Sequence, residues 1–432
     1  MHRSLHNSFT LVTILCLYPA FAHSLDAGFA SADITPDVVA HKVPMAGYGA
    51  RQGKPSTGVH DRLHAKVMFV RDTNASFAII TCDLRSVTPE LKQLVVDKAP
   101  GLGLTTANVM LSASHTHSGP SIFREKFWQV QFGVFDPAIL DGMSTAIADS
   151  LKNAVASAAA VRVGFGSGKV DGFTENRRWE YDTDARVKAG ETPAMNPVVS
   201  VIRFDRMDGT CAGLFVNFAT HPTILPAGNM QISADWPGVM QARLEEAFPG
   251  SIAMFANGAE GDQAPAGDKG ADDFAKVDDF GSRLAREVQR IAGDVKTEPN
   301  LTAASVQIMP ALPEVVFSPG ALRGPYSQMG PMAVEALPKR AEIQAFRIGT
   351  TAIVTMPGEP ICEVGLDAQQ RLAALGFAQS IVIGLANDYI GYIVNEKEYA
   401  HAGYEVDSRS YYGAGLGALI AEQVGEAAKQ LK

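Results

Sequence analysis

His115 and His117 sit in the stretch Ser114-His115-Thr116-His117-Ser118-Gly119-Pro120, just after the short apolar run Val109-Met110-Leu111. The run reads as the end of a buried strand. In an extended chain, residues i and i+2 point to the same side, so both imidazoles face one cavity. Neutral imidazole nitrogen suits Zn²⁺, and two of them at a strand end are the start of a zinc site. A lone His-x-His is equally compatible with two hydrogen-bonded histidines that hold no metal. Its company decides. His221, Glu260 with Asp262, Glu359, and Tyr389 with Tyr392 each follow an apolar, strand-like run. The C-terminal edge of an α/β sheet is where sites are built. Taken singly, each residue has a plainer reading. His221 could stop a strand at Pro222, Glu359 could be a turn residue, Asp235 a helix cap, and the tyrosines half-buried rings with a wet hydroxyl.

The elements that must position these residues alternate between strand and helix. Strands are expected at Ala65 to Val70, Phe77 to Cys82, Val161 to Phe165, Val198 to Phe204, Ala212 to Phe218, Ile252 to Phe255, Ala303 to Met309, Thr351 to Thr355 and Ser380 to Leu385. Thr88-Pro89 and Asp136-Pro137 open helices, each with a capping residue and proline at the first helical position. Further helices are expected from Asp235, Asp273, Gly365 and Gly415. Met45 to Gly58, rich in glycine and basic residues, reads as a surface loop. Asp171 to Pro197 reads as polar and irregular, and 296 to 345 as one strand followed by a Pro/Gly-rich excursion. The alternation predicts an α/β fold, a layered sandwich of mixed β-sheets flanked by helices, in a single catalytic domain over 23–432.

The chain has 432 residues, 46% hydrophobic and 19% charged, in the range of folded globular proteins. A net charge of −9 excludes an electrostatic nucleic-acid binder. Residues 1–22 read as a signal peptide: Arg3, an apolar Phe9 to Tyr18, then Ala20-Phe21-Ala22. Export to a secreted or periplasmic location is expected, with no transmembrane span in the mature chain. Cys82, Cys211 and Cys362 are far apart and read as buried small hydrophobes. The aromatic stretch Phe123 to Phe132 could line an apolar entrance, make transient contact with a membrane surface, or pack in the core.

The motif around His115, together with His221-Pro222-Thr223, Glu260-Gly261-Asp262, Pro357-Gly358-Glu359, Tyr389-Ile390-Gly391-Tyr392, Glu398-Tyr399 and Tyr404-Glu405, resembles the catalytic domain of the neutral/alkaline non-lysosomal ceramidase family. The resemblance runs from Gly28 to about Tyr404. It implies a zinc amidase, with the Zn²⁺ held by His115, His221, Glu359 and Tyr392. It places His117, Tyr404 and Arg177 around the scissile amide of a ceramide-like lipid or another N-acyl compound. Asp262 and Asp235 are the expected partners of the site's histidines or arginines. The sequence departs from the family in three respects. Ala264 stands where the family's Glu-Gly-Asp-x-Ser-Pro has serine, residues 120–200 match poorly, and no counterpart of the C-terminal β-sandwich of well-known members follows. The alternatives are therefore an amidase for a different N-acylated substrate, or a lipid-binding homologue without catalysis.

Overall fold

The computed structural model describes residues 25–318, 320 and 330–432. The expected signal peptide lies outside the described residues.

Most strands are buried on both faces, and successive side chains divide between two cores, as the period of two requires. In Ser76–Cys82, Phe77 and Ile79 enter a central core, while Ala78, Ile80 and Cys82 face helices. In Cys211–Phe218, Phe215 points to the central core and Leu214 and Val216 point away. In Thr351–Thr355, Ile353 points inward and Ala352 and Val354 outward.

One mixed sheet has eight strands, in the order Ile252–Asn257, Cys211–Phe218, Val198–Arg206, Ala159–Lys169, Asp26–Asp33, His64–Arg71, Ser76–Cys82 and Val109–Ala113. Its middle is a weak seam, since Asp26–Asp33 and Ala159–Lys169 share only two residue pairs. The two halves return to contact across it. The Lys66 ammonium donates to the Ala253 carbonyl at 2.9 Å, and a Cβ at Gly213 would lie 2.4 Å from the Phe29 ring. A second sheet, Ala303–Ile308, Ile343–Ile348, Thr351–Thr355 and Gln379–Ile383, closes the central core with Phe346, Ile348, Ile381 and Ile383. Helices cover the outer faces. Pro89–Asp97 and Pro137–Ala156 lie on one half of the large sheet, Asp235–Ala247 and Asp273–Asp294 on the other, and Cys362–Ala374 and Leu416–Lys429 on the second sheet. The fold is thus the layered α/β arrangement expected from the sequence. Among the described residues, no helix is long and apolar enough to cross a membrane. All three described cysteines are free and buried.

The capped helices start as expected: Thr88 accepts from Leu91 N at 3.2 Å, and Asp136 from Ala138 N at 2.9 Å. Ile343–Ile348, by contrast, begins inside the stretch to 345 read as a Pro/Gly-rich excursion. Gln344 hid it, because a buried amide breaks the apolar run. Its Nε2 donates to the carbonyls of Thr106 at 3.2 Å and Ala107 at 2.9 Å in the loop before Val109.

Four strand ends meet at Asn257. Its Nδ2 donates to the carbonyls of Ser114 at 3.0 Å and Thr220 at 3.1 Å, and its Oδ1 accepts from Thr220 N at 3.3 Å and Gly258 N at 3.0 Å. Gly384 N donates to the Asn257 carbonyl at 3.1 Å, and Ala113 N to the Leu385 carbonyl at 3.2 Å. Asn257→Ala removes the side-chain partner of the buried Ser114 and Thr220 carbonyls and of Thr220 N–H, and an unsatisfied buried polar group costs about 1–3 kcal/mol. A loss of about 3 kcal/mol in unfolding free energy is expected in urea titrations; a loss under about 0.5 kcal/mol, the size of an ordinary surface substitution, would mean that the strand ends hold without this side chain.

Candidate metal centre

The backbone turns sharply beyond each strand end. His115 has φ 76°, a left-handed conformation that is costly for a residue with a Cβ, and its N–H donates to the Leu84 carbonyl at 2.9 Å. The turn aims the ring inward. His115 Nδ1–H donates to the Arg85 carbonyl at 2.6 Å, and His221 Nδ1–H donates to the Gln263 carbonyl at 3.0 Å. These bonds fix the tautomers and leave each Nε2 with a bare lone pair. Glu359 Oε2 lies 3.2 Å from His115 Nε2 and 3.3 Å from His221 Nε2.

With both rings neutral, His115 Nε2, His221 Nε2 and Glu359 Oε2 are three buried acceptors that face one another. Mutual repulsion at that distance is relieved by a cation. A tetrahedral zinc with bonds of about 2.0–2.1 Å puts neighbouring donors about 3.3 Å apart, which these separations match. The chemistry fits as well. Burial first, then Arg177, pushes the His221 imidazole down to about 3, so the ring is neutral. Burial opposes ionisation of Glu359, but His115, contacts from both histidines and Arg85 outweigh it and hold the carboxyl well below the usual range.

Glu359 is held from behind. Its Oε1 accepts from the Tyr389 hydroxyl at 2.5 Å and faces Arg85 Nη2 at 3.4 Å, while Arg85 Nη2 donates to the Tyr389 oxygen at 2.6 Å. The Arg85 guanidinium lies 4.1 Å over the Tyr389 ring and 4.9 Å over Phe132. Phe123, Phe127, Trp128 and Phe132 are buried here, Trp128 against Tyr389 at 5.4 Å. These four rings are core packing behind the site, where they wall off Arg85. Arg85 was not singled out from the sequence. The available signal was a charged residue three positions past an apolar strand.

Tyr392 pairs in parallel register with Glu359 through a two-residue ladder. Its hydroxyl accepts from Arg177 Nη2 at 3.1 Å, and the same nitrogen donates to the Gly261 carbonyl at 2.7 Å. Arg177 Nε donates to Glu405 at 2.7 Å. Tyr404 stands at the rim, 47% exposed, its ring 6.0 Å from that of Tyr392. His117 Nε2 is 3.2 Å from His115 Nε2, and His117 Nδ1 has no partner among the described residues. Burial, then the other two histidines, lowers its imidazole well below the usual value. Glu260 is fully buried with neither oxygen partnered, and burial followed by the Glu359 charge raises its carboxyl well above the usual range.

Three expectations need correction. Met45 to Gly58 is a surface loop only in part: Met45 to Gly47 and Arg51 are buried, while Ala50, Gln52, Lys54, Pro55 and Thr57 are exposed. Arg51 donates to the carbonyls of Ala46, His117 and Asn229, and so supports His117 from below. Glycine is required at Gly47, where φ is 99° and a Cβ would lie 2.6 Å from that of His117. Neither Asp262 nor Asp235 bonds to a site histidine or arginine through its carboxylate. Asp262 accepts from Cys362 N at 2.8 Å, Gln263 Nε2 at 2.9 Å and Asn176 Nδ2 at 2.9 Å. Asp235 accepts from Leu225 N at 3.0 Å and Trp236 N at 2.7 Å. The histidines took backbone carbonyls instead, which lie nearer at the strand ends. Residues 171–197 are more ordered than expected, with a strand Thr174–Asn176 that pairs with Gln263–Pro265 and delivers Arg177. Ala264 lies in that ladder opposite Glu175.

Comparison with known proteins identifies the family and the fold. Residues 25–309 match the sequence family described as neutral/alkaline non-lysosomal ceramidase, N-terminal. The chain belongs to that family. Neutral ceramidase of Mycobacterium tuberculosis is 24% identical over 94% of this chain and 77% of its own length. That of Pseudomonas aeruginosa is 25% identical over 94% of this chain and 73% of its own. The crystal structure of the Pseudomonas neutral ceramidase superposes with a TM-score of 0.80 at 23% identity, covering 95% of this chain and 74% of that one. A structure of a ceramidase complexed with C2 gives 0.82 at 23% identity, covering 95% and 75%. These likenesses establish the fold. Glu359, Tyr392 and Tyr404 lie beyond the stretch that matches the family's N-terminal region.

The buried Asp235 predicts a pH effect on stability. Desolvation raises its carboxyl from 3.8 to about 6, against the Leu225 and Trp236 amides that lower it. The folded state therefore holds this proton more tightly than the unfolded chain. That contribution is complete below the unfolded value of 3.8 and is lost as pH rises through about 6. Two units correspond to about 3 kcal/mol. In urea titrations, the wild type should gain on Asp235→Asn by up to that amount as pH is lowered from neutral to about 4. A pH-independent difference would mean that the group ionises normally.

Proposed function

We propose that the protein is a zinc-dependent hydrolase of the N-acyl bond of ceramide-like sphingolipids, releasing a fatty acid and a sphingoid base. The observation that carries it is the triangle of His115 Nε2, His221 Nε2 and Glu359 Oε2 in a chain of this family. His115, His221, Glu359 and Tyr392 would hold the metal. Zinc bound there would polarise the amide carbonyl and make water a nucleophile near neutral pH. Two arginines order the surroundings: Arg85 with Tyr389 fixes Glu359, and Arg177 fixes the Tyr392 hydroxyl. His117 has an unpartnered Nδ1 and moves a proton to the departing amine. Tyr404, half exposed at the rim, donates its hydroxyl to the developing oxyanion. Residues 1–22 support export before the enzyme meets its substrate.

Purified protein and a fluorogenic N-acyl-sphingosine test the reading. Turnover that stops on chelation and returns with Zn²⁺ is expected. Zinc-loaded protein that cleaves only a soluble N-acyl amide would overturn the substrate and leave the chemistry.

A second reading has an observation of its own: the nitrogens of His115, His117 and His221 all lie within 4.8 Å of one another, so His117 could be a ligand instead of a proton carrier. Two variants separate them. His115→Ala should lose both zinc and activity. His117→Ala should keep most of its zinc and lose activity by roughly 10²–10⁴-fold, with one limb of the pH–rate profile gone. A metal-free His117→Ala protein would assign His117 to the metal.

A further inference from the structure

Glu260 has no role in the chemistry above, yet among the described residues it is a buried carboxyl with both oxygens unpartnered. It lies in the turn after Ile252–Asn257, fully buried, with no hydrogen-bond partner for either oxygen among the described residues. The arginine whose charge reaches Glu260, Arg177, is engaged with Glu405, Gly261 and Tyr392. The fold makes space for this carboxylate. A Cβ at Gly384 would lie 2.7 Å from Glu260 Oε2, so only glycine fits opposite it.

A carboxyl in that position is costly in either protonation state. Neutral, it leaves an O–H and a carbonyl without partners; ionised, it is a bare charge in a dry interior. A cation beside it removes both costs. One carboxylate oxygen of Glu260, a nitrogen of His115 and an oxygen of Glu359 all lie within 4.8 Å of one another. The three histidine nitrogens form a second such group, and both groups include His115. Because His115 Nδ1–H is committed to the Arg85 carbonyl, this ring offers one nitrogen only. The two groups therefore describe one ion, not a pair of ions.

We infer that Glu260 is a further carboxylate donor to the same metal ion as His115, His221, Glu359 and Tyr392. It adds a second carboxylate and makes the donor set harder than two imidazoles, one carboxylate and one phenol oxygen. The inference rests on the metal reading proposed above.

Glu260→Gln tests it, since the amide keeps the shape and loses the charge. Zinc affinity is measured by competition with a chelator of known affinity, and thermal unfolding is followed with and without zinc. A carboxylate that binds the ion predicts zinc dissociation weakened by at least about tenfold. It also predicts a metal-free variant no less stable than metal-free wild type, and a smaller rise in Tm on adding zinc. Equal zinc affinity in variant and wild type would overturn this inference alone. So would a metal-free variant of lower Tm whose zinc-induced rise is intact, because the role would then be structural. Wild type that takes up no zinc would overturn the metal reading and this inference together.

Discussion

Everything at this centre depends on strand ends from two sheets being held at one point. Asn257 does this with one side chain, bonding the carbonyls beyond Val109–Ala113 and Cys211–Phe218 while its own backbone takes the end of Gln379–Ile383. Because the large sheet folds back at its two-pair seam, strands far apart in its order end close together. His115 and His221, 106 positions apart by subtraction of their numbers, then share a cavity without any long loop reaching across. A site on rigid strand ends is positioned more closely than one on loops.

The second constraint is electrostatic. The centre is buried, and buried polar groups must be paired. Backbone carbonyls take the outer nitrogens of His115 and His221, Tyr389 and Arg85 take the outer oxygen of Glu359, and Arg177 takes the Tyr392 hydroxyl. Left without a partner among the described residues are the acceptors His221 Nε2, Glu359 Oε2 and both oxygens of Glu260. Such a concentration of unpaired acceptors is unfavourable to folding by itself, and a bound cation offsets it.

Support for this arrangement comes from segments that look unremarkable in sequence. Arg51, buried beneath His117, holds three carbonyls at once. Arg178, next to the site's Arg177, bonds Glu398 and Glu405, and Arg186 bonds Glu398 again. These buried ion pairs fix the segment 174–188 against the tyrosines at the rim. Breaking one partner of a buried pair costs more than the intact pair contributes, so the network acts chiefly as a positioning device.

The residue types and their places after apolar runs determined much of this from sequence alone. The alternating α/β architecture, the proline-capped helices at Thr88 and Asp136, and the placing of His115, His221, Glu359 and Tyr392 at strand ends follow from local periodicity and turn chemistry. Local signals carry no information about which distant backbone group a side chain will meet. Arg51 therefore read as a loop residue, and Gln344 fell in a stretch read as a Pro/Gly-rich excursion. Asp262 and Asp235 read as partners of the site, when nearer backbone carbonyls already satisfied the histidines. The burial of Arg85 against Tyr389 and the isolation of Glu260 opposite Gly384 arise only when the two sheets close on each other. Which lone pairs are left unpaired is a property of that closure, because a hydrogen bond or its absence is decided within about 3.5 Å across the fold, not along the chain.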